Sequence, residues 1–298
     1  MTLRDAESSY VRSFRSGSWR EDQWWGERDW VGFAVTQALD AMRTIRTATA
    51  TSLSQKTAFK EDGSPVTAIE GQIELAVRDA LHAFAPAATL VGEESGGSLP
   101  ATGDAVALDP VDGTWAFVTG SGTYATTVAV FHDGAPYVGV IASPTTGEVV
   151  YASRGAGTRL LTLPLFAEGD SATDLPVYAE SNILVSLHPS RSAGQAVGRL
   201  YEAWSEGTIR MVRSQGGSPA LALAEAAKGR YIYVNMWSRD TAAPYDLAAG
   251  VLVVREAGGE VTGLDGTPVD VLNHSGPFIS GIDRDAMAKV AQLVAAGS

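Results

Sequence analysis

Residues 105–114 read AVALDPVDGT, a short apolar run that leads directly into two aspartates separated by a proline and a valine. The run predicts a buried strand, and the ends of strands are where rigid scaffolds present ligand-binding side chains. Pro110 fixes its own φ and restricts the backbone of Asp109, so the carboxylates of Asp109 and Asp112 can face one point, with the carbonyl of Val111 between them. Two carboxylates this close repel each other unless a cation separates them.

The chemistry of this turn favours magnesium or manganese over zinc, because its ligands are hard oxygens without Cys or His. Gly113 permits a ligand to approach the backbone closely. The amides of Gly113 and Thr114 open a short helical turn and can donate to a phosphate oxygen. A metal beside such amides makes a phosphate site, although the motif taken alone is better explained as ordinary Asp-Gly turn chemistry.

Two further acidic clusters favour a phosphate site over ordinary turn chemistry. VGEES at residues 91–95 follows an apolar strand and contains Glu93, and PYDLAAG at residues 244–250 begins a helix and contains Asp246. Taken alone, a G-E-E sequence is usually a solvated loop, and Asp246 is most simply a helix N-cap. The combination of the three clusters and their order along the chain carry more weight than any one of them, because strand ends and helix starts hold ligands on rigid scaffolding.

The composition narrows the possible partners. The chain has 298 residues, of which 45% are apolar and 19% are charged, as in ordinary globular proteins. Its formal net charge of -12 repels phosphate backbones, so we expect no nucleic-acid partner. The absence of cysteine excludes disulfides and thiolate chemistry. We find no apolar run of membrane-spanning length and no secretory h-region, so we expect a cytoplasmic protein without a membrane partner.

Hydrophobic periodicity predicts two helices and a largely antiparallel sheet in the first half, with Asp133-Gly134 and Thr146-Gly147 as hairpin turns. In the second half strands alternate with helices, which is typical of a mixed sheet covered by helices. The predicted helices span Trp30–Thr49, Thr67–Phe84, Ser190–Trp204, Ser218–Lys228, Asp246–Ala257 and Asp283–Ala296. The predicted strands span Thr89–Gly92, Ala105–Leu108, Thr123–Phe131, Pro136–Ser143, Glu148–Ser153, Ile183–Leu187, Ile209–Val212, Tyr231–Asn235 and Phe278–Ile282.

We divide the chain into three segments. Residues 1–28 are an N-terminal extension, residues 29–165 an α+β half with the metal site, and residues 166–298 an α/β half with substrate loops and the last metal ligand. The extension carries Trp19, Trp24 and Trp25 among charged residues. We interpret it as an arm packed on the body or on a second subunit; an aromatic clamp on the substrate is the alternative.

The three acidic motifs, in this order, resemble those of the inositol monophosphatase superfamily. Gly92–Ser95 matches its G-E-E-S motif, Asp109–Thr114 its D-P-V-D-G-T motif, and Tyr245–Gly250 its aromatic-Asp-x-Ala-Ala-Gly helix. Lys60–Thr67 and Gly217–Leu221 are similar to two further segments of the family, and the resemblance covers roughly residues 30 to 285. It implies an α+β fold, a layered α-β-α-β-α sandwich of the inositol monophosphatase / fructose-1,6-bisphosphatase type, commonly a homodimer.

The resemblance also implies a reaction: magnesium-dependent hydrolysis of a phosphate monoester on a small metabolite, with water as the nucleophile and two or three Mg²⁺ ions, or Mn²⁺. Candidate substrates are inositol, histidinol, sugar and nucleotide 3'-phosphates and sugar bisphosphates. By this resemblance, Glu93, Asp109 and the Val111 carbonyl would hold a first metal, and Asp109, Asp112 and Asp246 a second.

The remaining roles also follow from the resemblance. Thr114, with Glu93, would orient the attacking water, and the amides of Gly113 and Thr114 would bind the phosphate. Ser218 and Asp246 would line the substrate site. Glu70 stands where the family usually has an aspartate that helps to position water and a third, looser metal, so the longer side chain puts that third metal in doubt.

Arg239 is the other departure from the family pattern, because inositol-type members carry there a glutamate that binds a substrate hydroxyl. A cation at this position could meet a second anionic group of the substrate, and a solvated loop arginine is the alternative. For the whole chain, a non-catalytic homologue that binds a phosphorylated ligand or metal in a regulatory or assembly role stays open. A glycosidase is disfavoured, because Asp109 and Asp112 are too close in the chain to flank a sugar from both sides.

Overall fold

Five layers of secondary structure, in the order helix–sheet–helix–sheet–helix, make up the computed structural model of the protein. The structure describes residues 29–49, 57–60, 63, 65–163, 182–186, 190–236 and 243–295. Three clusters of buried apolar side chains join these layers, and the second cluster fills both sides of the middle helix layer. The layered α-β-α-β-α sandwich and the α+β class predicted from the sequence are confirmed.

The first sheet has six strands in the order β3-β4-β5-β6-β7-β8. β3 pairs parallel to β4, and the other neighbours are antiparallel, with Asp133 and Gly134 at positive φ in the turn between β5 and β6. A small hairpin, β1 with β2, precedes this sheet. The strands are β1 (Thr57–Phe59), β2 (Pro65–Thr67), β3 (Thr89–Gly92), β4 (Asp104–Asp112), β5 (Ala125–His132), β6 (Ala135–Ala142), β7 (Glu148–Ser153) and β8 (Thr158–Thr162).

One outer layer consists of the helices α1 (Trp30–Thr49) and α2 (Ala68–Phe84), which cover one face of the first sheet. Their buried side chains recur at helical spacing, as the apolar pattern of the sequence predicted. A short helix, α3 (Thr114–Val118), begins directly after β4. The DPVDGT motif therefore lies at the carboxyl end of β4, an internal strand of the sheet, and at the start of α3.

The middle layer is formed by α5 (Pro219–Ala227) and α6 (Pro244–Glu256), whose side chains pack against both sheets. Small residues let these elements approach closely. A Cβ added to Gly139 on β6 would come within 2.7 Å of the Ala249 carbonyl oxygen, and one added to Gly250 within 2.4 Å of the Leu223 side chain. The Ala-Ala-Gly run of α6 thus seats this helix between the first sheet and α5.

The second sheet has five strands in the order β10-β9-β11-β13-β12, with parallel pairing among the first three and antiparallel pairing at β13 and β12. Two helices, α4 and α7, cover its outer face. These elements are β9 (Asn182–Ser186), α4 (Arg191–Ser205), β10 (Met211–Ser214), β11 (Ile232–Asn235), β12 (Glu260–Gly263), β13 (Phe278–Gly281) and α7 (Arg284–Ala295).

Most predicted elements agree with these bounds to within a few residues. The strands β1, β2, β8 and β12 and the helix α3 were not predicted. They are three to five residues long, which is too short for a periodic pattern to develop. The extension at 1–28 and the predicted boundary at 164–174 lie outside the described residues, so the division into segments stays a prediction. Within the described part of the chain, no helix is both long and apolar enough to cross a membrane.

Candidate active site

The end of β4 holds Asp109 and Asp112 in a local irregularity of the ladder with β5, where the register shifts between these two residues. Both side chains are buried. The amide of Val111 donates to Asp109 Oδ1 at 2.8 Å, and the hydroxyl of Thr126 on β5 donates to the Pro110 carbonyl at 2.8 Å. The turn predicted from the proline is therefore fixed by hydrogen bonds, and it presents both carboxylates together.

Asp246 reaches the same point from the first turn of α6. Carboxylate oxygens of Asp109, Asp112 and Asp246 lie within 4.8 Å of one another. Pro244 is the first residue of the helix and Ala243 is its N-cap. The alternative that Asp246 is the N-cap is therefore wrong, and its carboxylate is directed at the aspartate pair.

Burial and neighbouring carboxylates raise the pKa of the three aspartates. Burial first, and then the charges of Glu93, Asp112 and Asp246, raise the pKa of Asp109 well above its usual range. Burial, followed by the charges of Asp112 and Glu93, raises the pKa of Asp246 in the same way. Two buried carboxylates and one half-buried one offer only oxygen ligands, which fits Mg²⁺ or Mn²⁺ and disfavours zinc.

Asp112 is additionally held by the start of α5. The Ser218 hydroxyl donates to Asp112 Oδ2 at 2.5 Å and the Ala220 amide at 2.9 Å. Burial raises the pKa of Asp112 to about 7, although these two hydrogen bonds act in the opposite direction. Ser218, predicted to bind substrate, is fully buried, and the contact seen for its side chain oxygen is with Asp112 and the Leu221 amide.

A second acidic group lies beside the first. Carboxylate oxygens of Glu70, Glu93 and Glu94 lie within 4.8 Å of one another, and Glu93 also contacts the Asp109 carboxyl. Lys60, at the end of the β1 strand, places its Nζ 2.7 Å from Glu93 Oε1 and 2.7 Å from Glu94 Oε1. Burial lowers the pKa of Lys60, but its hydrogen bonds and ion pairs with these glutamates outweigh that effect and raise it.

Glu70 connects α2 to the DPVDGT turn. Its Oε2 accepts hydrogen bonds from the Thr67 amide at 2.5 Å and the Thr67 hydroxyl at 2.7 Å, which caps α2. Its Oε1 accepts from the Thr114 hydroxyl at 2.9 Å. Burial raises the pKa of Glu70 to about 7. The glutamate that replaces the usual aspartate therefore still reaches Thr114.

Gly113 is required by the packing of the site. Its φ is +92°, and a Cβ added there would lie 2.7 Å from the Ser218 amide nitrogen. The Ser218 amide in turn donates to the Thr123 carbonyl at 2.9 Å. The loop before α5 thus fills the space that a side chain at Gly113 would need. This requirement for glycine was not evident from the sequence.

Glu74 is a site residue that the sequence analysis missed. Its buried carboxylate accepts hydrogen bonds from the amides of Glu94 at 2.8 Å and Ser95 at 3.0 Å. It also lies where a Cβ of Gly92 would be, since such an atom would come within 2.4 Å of its Oε1. The signal was present in the sequence, because Glu70 and Glu74 are four residues apart on the apolar face of α2.

Arg239 lies outside the described residues, so its predicted contact with substrate stays a prediction. The other predicted positions are Glu70, Glu93, Asp109, Val111, Asp112, Gly113, Thr114, Ser218 and Asp246. The structure gathers all of them around the end of β4, and it brings Lys60, Glu74 and Glu94 to them.

Comparison with known proteins identifies the family of this chain. The sequence model of the inositol monophosphatase family matches residues 27–296, nearly the whole chain. The chain belongs to the inositol monophosphatase family. Among solved structures, the extragenic suppressor protein suhB from Bartonella henselae superposes with a TM-score of 0.72 at 24% identity, over 89% of this chain and 97% of that one. At this identity the likeness concerns the fold.

Three relatives of this chain have names that indicate different functions. A histidinol-phosphatase of Mycobacterium tuberculosis is 32% identical over 79% of this chain and 87% of its own. A fructose-1,6-bisphosphatase/inositol-1-monophosphatase of Thermotoga maritima is 28% identical over 82% of this chain and 87% of its own. Nus factor SuhB of Escherichia coli is 31% identical over 76% of this chain and 82% of its own.

Proposed function

We propose that this protein hydrolyses a phosphate monoester of a small metabolite with water, in a reaction that depends on Mg²⁺. The single observation that supports this most is the contact between two acidic groups: Asp109, Asp112 and Asp246 on one side, and Glu70, Glu93 and Glu94 on the other, joined at Asp109 and Glu93. Six carboxylates, three buried and three half-buried, favour cations of high charge, and a phosphate can approach an acidic chain only where such cations neutralise it.

Two metal positions are proposed within these groups. Glu93, Asp109 and the Val111 carbonyl would hold one ion, and Asp109, Asp112 and Asp246 the other. When bound, Mg²⁺ would neutralise the phosphoryl oxygens and lower the pKa of water. Ser218 and Ala220 keep Asp112 oriented toward this position, because both donate to the same carboxylate oxygen.

Thr114 and Glu70 would handle the proton of the attacking water. The Thr114 hydroxyl donates its hydrogen to Glu70 Oε1. A lone pair of the Thr114 oxygen can therefore accept a hydrogen bond from the attacking water. The proton then passes through Thr114 Oγ to Glu70. A carboxyl whose pKa is about 7 is suited to this role near neutral pH. The amides at Gly113 and Thr114, at the start of α3, would donate to the phosphate.

The substrate class is the least constrained part of the proposal. The relatives' names point to histidinol phosphate, inositol 1-phosphate and fructose 1,6-bisphosphate as compounds to test first. A cation at Arg239 would favour a second anionic group. A homodimer in the cytoplasm is part of the same proposal, by resemblance to the family.

The test measures phosphate release from a panel of these monoesters and bisphosphates, with Mg²⁺, with Mn²⁺ and with chelator. Asp112→Asn is compared with wild type, and Asp285→Asn, which changes an exposed aspartate in the first turn of α7, is the matched control. We expect release that needs the metal, survives in Asp285→Asn and is lost in Asp112→Asn. Full activity of a folded Asp112→Asn protein would refute the proposed mechanism.

The name of one relative, Nus factor SuhB, favours a second candidate: a homologue whose main role is regulatory or in assembly. This candidate predicts that phosphate release stays at background for every compound while the protein still binds Mg²⁺. Phosphate release from at least one ester, lost in Asp112→Asn, would rule this candidate out. Background release from every ester, together with Mg²⁺ binding by calorimetry that Asp112→Asn weakens, would favour it.

A further inference from the structure

Two large aromatic side chains are exposed beside the candidate active site. Phe59 is 64% exposed and Trp115 is 56% exposed, more than most large apolar side chains of the described chain. Their ring centroids are 6.2 Å apart and their planes are tilted by 46°. Stacked rings lie closer and nearly parallel, so each ring here keeps a face open. Large apolar side chains grouped at a surface usually mark a binding site.

Their position ties them to the site. Trp115 directly follows Thr114, whose hydroxyl contacts Glu70. Phe59 directly precedes Lys60, whose ammonium lies 2.7 Å from Glu93. Neighbouring Cα atoms are about 3.8 Å apart, so each ring begins within one residue of a group at the centre of the site. Both rings therefore begin next to residues of the candidate site.

The chemistry of the pair favours a partner with a flat face. The two rings offer flat apolar faces and a single indole N–H, so they bind by stacking more than by hydrogen bonds. The π faces of the two rings would attract an electron-poor or cationic heteroaromatic ring.

We propose that Phe59 and Trp115 form a subsite that stacks against a planar heteroaromatic ring, of the imidazole or purine type, on the alcohol part of the phosphate ester. This inference rests on the proposed function and narrows its substrate class. It depends on the geometry of the two rings and not on Arg239 or on the metal ligands.

The experiment uses two pairs of esters that differ chiefly in the ring. Histidinol phosphate is compared with 2-aminobutyl phosphate, and adenosine 5'-monophosphate with ribose 5-phosphate. The variants are Trp115→Ala, Phe59→Ala and the conservative Trp115→Phe. The control is Trp204→Ala, which removes a partly exposed indole that pairs with Tyr201 on α4 in the opposite outer layer. For each protein, kcat and KM are measured with Mg²⁺, and the oligomeric state is measured by sedimentation.

We expect wild type to prefer the ring-bearing member of at least one pair, and Trp115→Ala to reduce that preference about tenfold, mainly through KM, as loss of one stacking contact does. Phe59→Ala reduces it less, Trp115→Phe retains most of it, and Trp204→Ala leaves it as in wild type. Equal losses of kcat/KM for both members of each pair would overturn the subsite, because Trp115 would then only support the turn. A change of oligomeric state in Trp115→Ala would also overturn it.

A different result separates this inference from the proposed function. If wild type hydrolyses none of the four esters, the function proposed for these compounds fails, and calorimetric binding decides the subsite. Tighter binding of the ring-bearing ester that Trp115→Ala abolishes would support the subsite without turnover. Equal affinity for both members of each pair would overturn it.

Discussion

At the scale of single residues, the site is built from carboxylates whose charges oppose one another. Asp109 and Asp112 share one turn of β4, and Asp246 is added from α6, so the negative charge is concentrated where water is scarce. Chain spacing alone predicted the first pair. Asp246 is distant in sequence and was placed only by resemblance, since no local pattern says which helix start will face a given strand end.

Asp112→Asn removes one of these charges with little change in volume. We expect at least a hundredfold loss of Mg²⁺-dependent kcat, because the metal cage loses a charged ligand. We also expect the metal-free variant to melt at a higher temperature than metal-free wild type, because the repulsion with Asp246 is removed. Phosphate release and thermal melting in chelator measure the two effects. A variant that is inactive and also unfolded would contradict this account of the residue.

Glu74→Gln tests a residue that acts through its neighbours. The amide group of glutamine cannot accept hydrogen bonds from both the Glu94 and Ser95 amides, so the loop that carries Glu93 should loosen. We expect the Mg²⁺ concentration for half-maximal activity to rise about tenfold and stability to fall by about 1–3 kcal/mol. Metal titration of activity and urea unfolding check these values. An unchanged metal requirement would show that Glu74 serves packing alone.

At the scale of elements, the site depends on where short segments end. The turn after β4 and the loop before α5 are interlocked at Gly113 and Ser218, and each holds part of the cage. The sequence predicted β4 and α5 within a few residues. It could not predict their interlock, because Gly113 has a turn signature that explains it locally, and the Ser218 contact joins residues 106 positions apart.

Gly113→Ala should therefore cost more than an ordinary substitution at positive φ. The control is Gly207→Ala, whose φ is +77° and whose added Cβ meets nothing within 4 Å. We expect about 1–2 kcal/mol for the control, from backbone strain alone. For Gly113→Ala we expect a larger loss of stability, together with loss of activity, because the loop at Ser218 must move. If Gly113→Ala and Gly207→Ala lost equal amounts of stability in urea unfolding, the loop at Ser218 would move without a cost in free energy.

At the scale of the whole molecule, the middle helix layer is shared by both sheets, and it brings α5 and α6 to the metal site. The alternation of helices and strands in the sequence predicted the two sheets and their covering helices. It did not fix the order of the layers, which the family resemblance supplied. Glu74 was missed because a sequence pattern treats a charge on an apolar face as an exception rather than as a buried hydrogen-bond acceptor.

Buried acids also make the stability of the whole protein depend on pH and metal together. The pKa of Glu70 is raised from 4.5 to about 7, so between these values the folded chain retains a proton that the unfolded chain releases. Stability without metal should therefore fall as pH rises from 4.5 to 7, and remain low above that range. We expect the melting temperature in chelator to increase when pH is lowered from about 8 to about 6, and saturating Mg²⁺ to weaken this dependence. An identical pH dependence with and without Mg²⁺ would contradict a metal site here.

The ion pairs of Lys60 have a consequence for how the protein matures. The ammonium of Lys60 lies between Glu93 and Glu94, so the chain supplies its own counterion to one half of the acidic site. A newly synthesised chain could then assemble this half of the site before it captures an ion. The three aspartates would still gain stability from an ion, so the cellular supply of magnesium would affect both activity and the amount of folded protein that accumulates.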